Sequence, residues 1–272
     1  MAEIIETDEE LIVRNKVNEV IEAIKMDMND DINDERSYLV VEGDNDIEWA
    51  RNLLDKEVAI YQSGHGKDGI ARILSNSDLT TKRLIAIRDR DYSDVTEYEE
   101  RLFAYDGSCL EVMLIHGTNT KSRFHQFFYK GIYDEAEYVK NAMRVLAPYS
   151  LLRKKNEKED IGISFSSVAG LVKSEDTIDN FILFRKVNAA SCLSECETAA
   201  TVLTENELID ITNGHDLCTF LGLFSKAGGA KLGEDGIRDI LLSTYSREEF
   251  AETNLYQDLR QYEMKYNVKY VV

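Results

Sequence analysis

Apolar residues in the first part of the chain fall in short blocks, and each block ends in polar or acidic positions. Tyr38, Leu39, Val40 and Val41 form an unbroken apolar run, the pattern of a strand buried on both faces. Glu42, Gly43, Asp44 and Asp46 follow where that strand should turn into a helix, and Ile47, Ala50, Leu53 and Leu54 then repeat at helical spacing. Val58 to Tyr61 reads as a second strand, and Ile70, Ile73 and Leu74 mark a helix after the glycine-rich turn QSGHGKDG at 62–69. Leu84 to Ile87 is a third strand, edged by Arg88, Asp89, Arg90 and Asp91, and Leu102 to Tyr105 is a further extended piece. Ahead of them, Thr7 and Glu10 form a capping-box pattern before Val13, Val17, Val20, Ile21, Ile24 and Met28, an amphipathic helix. Alternating strands and helices over 37–115 predict a parallel sheet with helices on its faces.

From about Gly117 the pattern changes. Asp134 to Ala147 spaces Ala136, Val139, Met143 and Leu146 as a helix, and Pro148, the only proline, is expected to stop it. The polar run Arg153 to Asp160 reads as a loop or hinge, and short strands are expected within 161–172 and 178–184. Beyond residue 190 the chain reads helical, with Leu217, Phe220, Leu221 and Phe224 as one apolar stripe and Ile237, Ile240 and Leu241 as another. Gly228-Gly229 separates the stripes, and a last helix begins at Ser246, where Glu249 completes a second capping box. The expectation is an α/β fold: an N-terminal helix over 1–36, a core over 37–116, and a mainly helical region over 117–272.

Composition places this pattern in the ordinary globular class, with 272 residues, 43% hydrophobic and 31% charged. The acidic start MAEIIETDEE is the opposite of a targeting peptide and no run is long enough to span a membrane, so a cytoplasmic protein with no membrane partner is expected. Cys109, Cys192, Cys196 and Cys218 are too sparse for a disulfide framework. Cys192 and Cys196 share a helical face but lack a second pair at zinc spacing, so they read as core. The net charge of -19 changes the picture more, because such a surface repels a phosphate backbone. A nucleic acid must then be met through bound cations and a limited basic patch. Candidates for that patch are Lys121, Arg123 and Lys130, then Arg153, Lys154, Lys155 and Lys158, then Arg185 and Lys186.

The candidate chemistry lies at two acid-tipped strands. Sheets of this class keep their ligands at the carboxyl ends of the strands, where Glu42 on one strand and Asp89-x-Asp91 on another would stand. Crowded carboxylates raise one another's pKa unless a cation neutralises them, and Mg²⁺ or Mn²⁺ accepts such oxygens together with substrate phosphate. Asp44 reads as the cap of the following helix, and Asp46 as either a cap or a further ligand. Gly64, Gly66 and Gly69 would let backbone amides approach an anion beside Lys67, although the spacing is not that of a Walker A loop and a plain turn fits as well.

Glu42-Gly43-x-x-Asp46 after one strand and Asp89-x-Asp91 after another resemble the Toprim domain of topoisomerases, primases and overcoming-lysogenisation-defect nucleases. GHGKDG at 64–69, Asp106 to Glu111, GHDL at 214–217 and the tail Phe250-x-x-Thr253-x-Leu255-Tyr256-x-x-Leu259 are similar to a standalone bacterial branch of Toprim-like proteins. The resemblance implies Mg²⁺ (or Mn²⁺) held by Asp89 and Asp91, with Glu42 as general acid/base or ligand. It also implies a phosphodiester reaction, hydrolysis of RNA such as tRNA or of DNA, in an anti-phage defence effector partnered by an ABC-type ATPase; a homodimer is compatible with it. Glu111 is an additional ligand candidate, although Cys109-Leu110-Glu111 departs from the expected segment, and His215 is a candidate proton shuttle or a structural helix-start histidine. Two other readings stand beside it: a haloacid-dehalogenase-type phosphatase with Asp89 as nucleophile and Asp91 as acid, and a non-catalytic Toprim-like module for dimerisation or partner binding.

Overall fold

The computed structural model describes residues 8–33, 35–92, 100–165, 167–179 and 190–272. The chain forms two compact units, one of Met1–Asp89, Val95–Ala104 and Phe250–Val272, the other of Arg90–Asp94 and Tyr105–Glu249.

The first unit carries α1 (Asp8–Asp30), β1 (Tyr38–Val41), α2 (Asp44–Leu53), β2 (Ala59–Gln62), α3 (Gly66–Leu74), β3 (Leu84–Arg88) and β4 (Leu102–Ala104). All its strands are parallel, in the order β2-β1-β3-β4, with Tyr38 in register with Ala59 on one side and Leu84 on the other. This is the α/β sheet that the alternating pattern predicts. Every residue of β1 and Leu84 to Ile87 of β3 are buried, which is why neither strand alternates apolar and polar positions. From β1 the chain moves outward to β2 and then returns to the other side as β3, so the direction of winding reverses between β1 and β3. In open sheets that reversal leaves a crevice at the strands' carboxyl ends.

On one face α1 lays Val17, Ile21 and Ile24 against Tyr38, Val40, Ile70 and Ile73. Thr7, half of the expected first capping box, lies outside the described residues. Residues 250–272 complete the unit. Phe250 meets Trp49 edge to face at 5.3 Å, the helix Asn254–Tyr266 is capped by Thr253, and Val271 forms an antiparallel bridge with Leu54. The buried Glu263 carboxylate accepts the Val271 amide at 2.7 Å and the Tyr270 amide beside it.

The second unit is mainly helical. It contains α4 (Leu110–His116), α5 (Thr118–Phe127), α6 (Tyr138–Glu159), the hairpin β5 (Val172–Ser174) and β6 (Thr177–Ile178), and α7 (Ala190–Ala200). After these come α8 (Glu205–Ile211), α9 (Gly214–Leu223), the hairpin β7 (Lys226–Ala227) and β8 (Ala230–Lys231), and α10 (Glu234–Thr244). The apolar run from Leu110 to Ile115 is a helix buried on all sides. The capping box between Ser246 and Glu249 forms at 3.0 and 3.2 Å, but the expected single last helix breaks after Ala251, because Thr253 caps a new one.

Pro148 does not stop a helix. It lies inside α6, and Arg153 to Glu159, expected as a loop, form the last turns, which end at Asp160 with φ 48°. Leu146, Ala147, Tyr149, Ser150 and Leu152 are buried on both sides of the proline, so packing outweighs a defect of about 3 kcal/mol. Pro148→Ala should therefore stabilise the protein by about 1–2 kcal/mol in chemical denaturation, the helix gain being partly offset by a freer unfolded chain. No gain would show that the helix is built around the missing N–H. The strand expected over 178–184 lies mostly outside the described residues, and the β7–β8 hairpin at Gly228-Gly229 stands where helix was expected. Cys109, Cys196 and Cys218 are buried, Cys192 is half-buried, and none forms a disulfide. Among the described residues no helix is long and apolar enough to cross a membrane.

Candidate functional site

Because β1 and β3 are neighbours, the residues leaving their carboxyl ends come together in the first unit. The Asp89 amide donates to Glu42 Oε1 at 3.1 Å, which ties the two strand ends through the side chain predicted to act there. Both residues are half-buried. A Cβ placed on Gly66 would lie 3.6 Å from Glu42 Oε2, so the same carboxylate also faces the first turn of α3.

The glycine-rich turn shapes that approach. Gly64 and Gly66 have φ of 79° and 47°, the left-handed region that glycine enters without steric cost, and Ser63 Oγ donates to the Gly66 carbonyl at 2.8 Å. Gly69 has a different reason to be small, since a Cβ there would stand 2.5 Å from the Ser63 carbonyl oxygen. Gly69→Ala is expected to cost about 1–3 kcal/mol in chemical denaturation, because α3 must move away from the turn. An unchanged midpoint would mean the turn yields freely. Lys67 is exposed in the first turn of α3.

Of the two acids after Gly43, Asp46 takes the capping role and Asp44, expected as the cap, does not. Gly43 itself is the N-cap of α2, and Asp46, buried at the third helical position, accepts the Gly43 amide at 2.9 Å. Asp44 is exposed at the first helical position and makes no capping bond. An extended N-cap glycine has no side chain with which to cap, so the amide is satisfied from Asp46.

The chain passes from the first unit to the second between Asp89 and Arg90, and Asp91 belongs to the second. Asp91 has φ 51°, and its amide donates to the Ser108 carbonyl at 3.0 Å. Arg90 lies 3.6 Å from Asp210, and Ser108 Oγ donates to the Thr212 carbonyl.

Glu111 and His215 meet in this second unit through a residue the pattern did not single out. Arg238 on α10 is buried; its Nε donates to Glu111 Oε1 at 2.9 Å and its other nitrogens reach Glu234 at 2.7 Å and Asp235 at 3.1 Å. His215 Nδ1 lies 2.6 Å from Glu234 Oε1 and 2.9 Å from Arg238, and Thr219 donates to Glu234 at 3.1 Å. Burial alone would raise the Glu234 pKa, but the hydrogen bonds from His215 and Arg238 outweigh it and hold the group below its ordinary value. Glu111 is thus engaged in a buried ion pair, with Gly214 packed against it. A lone arginine on an amphipathic helix gives no local signal. The acid inside the apolar run 110–115 was the available one, since a buried carboxylate requires a cation.

Among the described residues no group of three or more His, Cys, Asp and Glu side chains is gathered around one point. Glu42 and Asp89 form a pair, and a pair fits Mg²⁺, which commonly takes one or two protein carboxylates and completes its octahedron with water and phosphate. No protein-family model matches the chain, and a comparison with curated proteins finds no match either.

Proposed function

We propose that this protein is a divalent-metal-dependent phosphodiester hydrolase, a nuclease of Toprim type, centred on the carboxyl ends of β1 and β3. The observation that carries the reading is the hydrogen bond from the Asp89 amide to Glu42, which joins the two acid-tipped strand ends where the sheet's winding reverses. Glu42 and Asp89 would hold Mg²⁺ (or Mn²⁺), with Asp46 as a further ligand candidate; when bound, the ion would neutralise phosphate charge and lower the pKa of water. Glu42, held through Oε1 by the Asp89 amide, is the carboxylate that would take or return a proton at the scissile phosphate. The first-turn amides of α3 and Lys67 draw the substrate's phosphate oxygens toward that carboxylate. RNA, including tRNA, or DNA is the substrate class, and the motif order supports an anti-phage effector of the cytoplasm working beside an ABC-type ATPase.

The test is incubation of the protein with RNA, plasmid DNA and a generic phosphate monoester, in Mg²⁺, in Mn²⁺ and in EDTA. Metal-dependent cleavage of nucleic acid that Asp89→Asn abolishes is the expected result. Monoester hydrolysis lost in Asp89→Asn but kept in Glu42→Gln would replace this reading with a phosphatase. Inertness toward all three substrates, with and without an ATPase partner, would favour a non-catalytic binding module.

A further inference from the structure

The chain carries 51 acidic residues against 32 basic ones, yet Val112 to Tyr133 and Leu217 to Gly233 are, like Tyr138 to Asn156, without Asp or Glu. The fold of the second unit joins the first two. Tyr129 bridges Ser225 in antiparallel fashion, the Lys130 amide donates to the Phe224 carbonyl at 2.8 Å, and the Lys226 amide donates to the Phe128 carbonyl at 3.0 Å. The β7–β8 hairpin is therefore hydrogen-bonded at its base to the end of α5. Its tip is Gly228-Gly229, with φ of 57° and 87°, exposed and with nothing within 4 Å of where either Cβ would be.

Arg123, Lys130, Lys226 and Lys231 are exposed on these segments, and none has a carboxylate partner among the described residues. Several other basic candidates are committed elsewhere. Arg153 grips Asp216 at 2.7 and 3.1 Å, Lys155 pairs with Glu195 at 3.0 Å, and Lys121 lies within the field of Glu205. Arg185 and Lys186 lie outside the described residues. Phe127 is 59% exposed beside Lys130, whose ammonium reaches the Phe127 carbonyl at 3.2 Å. At the far end of the first segment Glu175 turns inward onto the Ile132 amide and Asp176 is bonded to Tyr133; Asp134 and Glu135 follow and bound the patch.

We infer that the end of α5 and the β7–β8 hairpin form a docking surface for single-stranded nucleic acid, with Lys130, Lys226 and Lys231 on phosphates, Phe127 under a base, and the side-chain-free Gly228-Gly229 tip admitting the backbone closely. Unneutralised cations answer phosphate charge, and an exposed ring among them is the combination that tracks a strand without reading its sequence. An acidic polypeptide would match the charge but leave the exposed ring without a stacking partner. The inference rests on the nuclease reading for its biological sense only, since binding is measured apart from cleavage.

The experiment is fluorescence anisotropy of the full chain with labelled oligouridylate and oligothymidylate, in EDTA, from about 50 to about 200 mM salt. Lys226→Gln/Lys231→Gln is expected to weaken binding at least about tenfold and to flatten the slope of log affinity against log salt by roughly one, at about 0.7 for each phosphate no longer neutralised. Phe127→Ala is expected to weaken binding about fivefold or more without changing the slope. Lys154→Gln/Lys158→Gln, a control on α6, should leave both unchanged. These side chains are exposed except Lys154, which is half-buried, and a thermal melt should match the parent's. Absence of binding by the intact chain, an unchanged slope in the hairpin variant, or equal loss in the α6 control overturns the proposal. Competition by polyglutamate as strong as by oligouridylate also overturns it and assigns the surface to an acidic protein. Loss of cleavage in Glu42→Gln with binding intact leaves both readings standing, whereas binding without any metal-dependent cleavage overturns the nuclease reading alone.

Discussion

Glu42→Gln is expected to lower metal-dependent cleavage at least about 100-fold while leaving the melting temperature within about 2 °C of the parent's. The glutamine oxygen can still accept the Asp89 amide, so the tie between β1 and β3 survives while the charge and the proton acceptor are lost. Glu42→Ala should lose activity to a similar extent and in addition about 1–3 kcal/mol of stability, because a half-buried amide is left without its acceptor. The comparison separates chemistry from bracing. If Glu42→Gln keeps its activity and only Glu42→Ala fails, the residue braces the strand ends and the catalytic group must be sought elsewhere.

Arg238→Met should destabilise the protein by about 3–5 kcal/mol, the largest stability loss expected of any single change considered, because it strands the Glu111 carboxylate in the interior. The Glu111 side chain is 9% exposed and that of Arg238 7%, so water cannot replace the lost partner. Combining Arg238→Met with Glu111→Gln should recover a large part of the loss, since the stranded charge is then gone. Urea denaturation of both single variants and the pair gives the coupling directly. Additive losses would show that Arg238 is needed for its packing alone.

The strands that define the site could be read from the chain because they are buried on both faces. Tyr38 to Val41 and Leu84 to Ile87 have no solvent side to break their apolar runs, and their acidic ends stand out for that reason. The order of strands was a different matter, since no local feature of Val58 to Tyr61 says that it lies outside β1. Asp44 was the expected cap and Asp46 either a cap or a ligand; the extended Gly43 N-cap gave the part to Asp46, a choice made by backbone geometry. Pro148 misled because propensity speaks only of the helix, whereas Leu146, Tyr149 and Leu152 are held by burial in the interior of the unit. The hairpin at Gly228-Gly229 carried its signal in the paired glycines, but the flanking strands are two residues long and show no period. Arg238 left no trace of its own, for ion pairs across distant helices are set by the packing of the unit.

The sheet unit is assembled from both sides of a long interruption. Val271 bridges Leu54, and Glu263 secures it, while residues 105–249 build the other unit in between. During synthesis the interrupting segment is made, and emerges, ahead of the residues that complete the sheet unit. All residues of the helical unit are available on the nascent chain before residues 250–272 emerge to complete the sheet unit. A unit built this way is completed late, after the segment that interrupts it has been made.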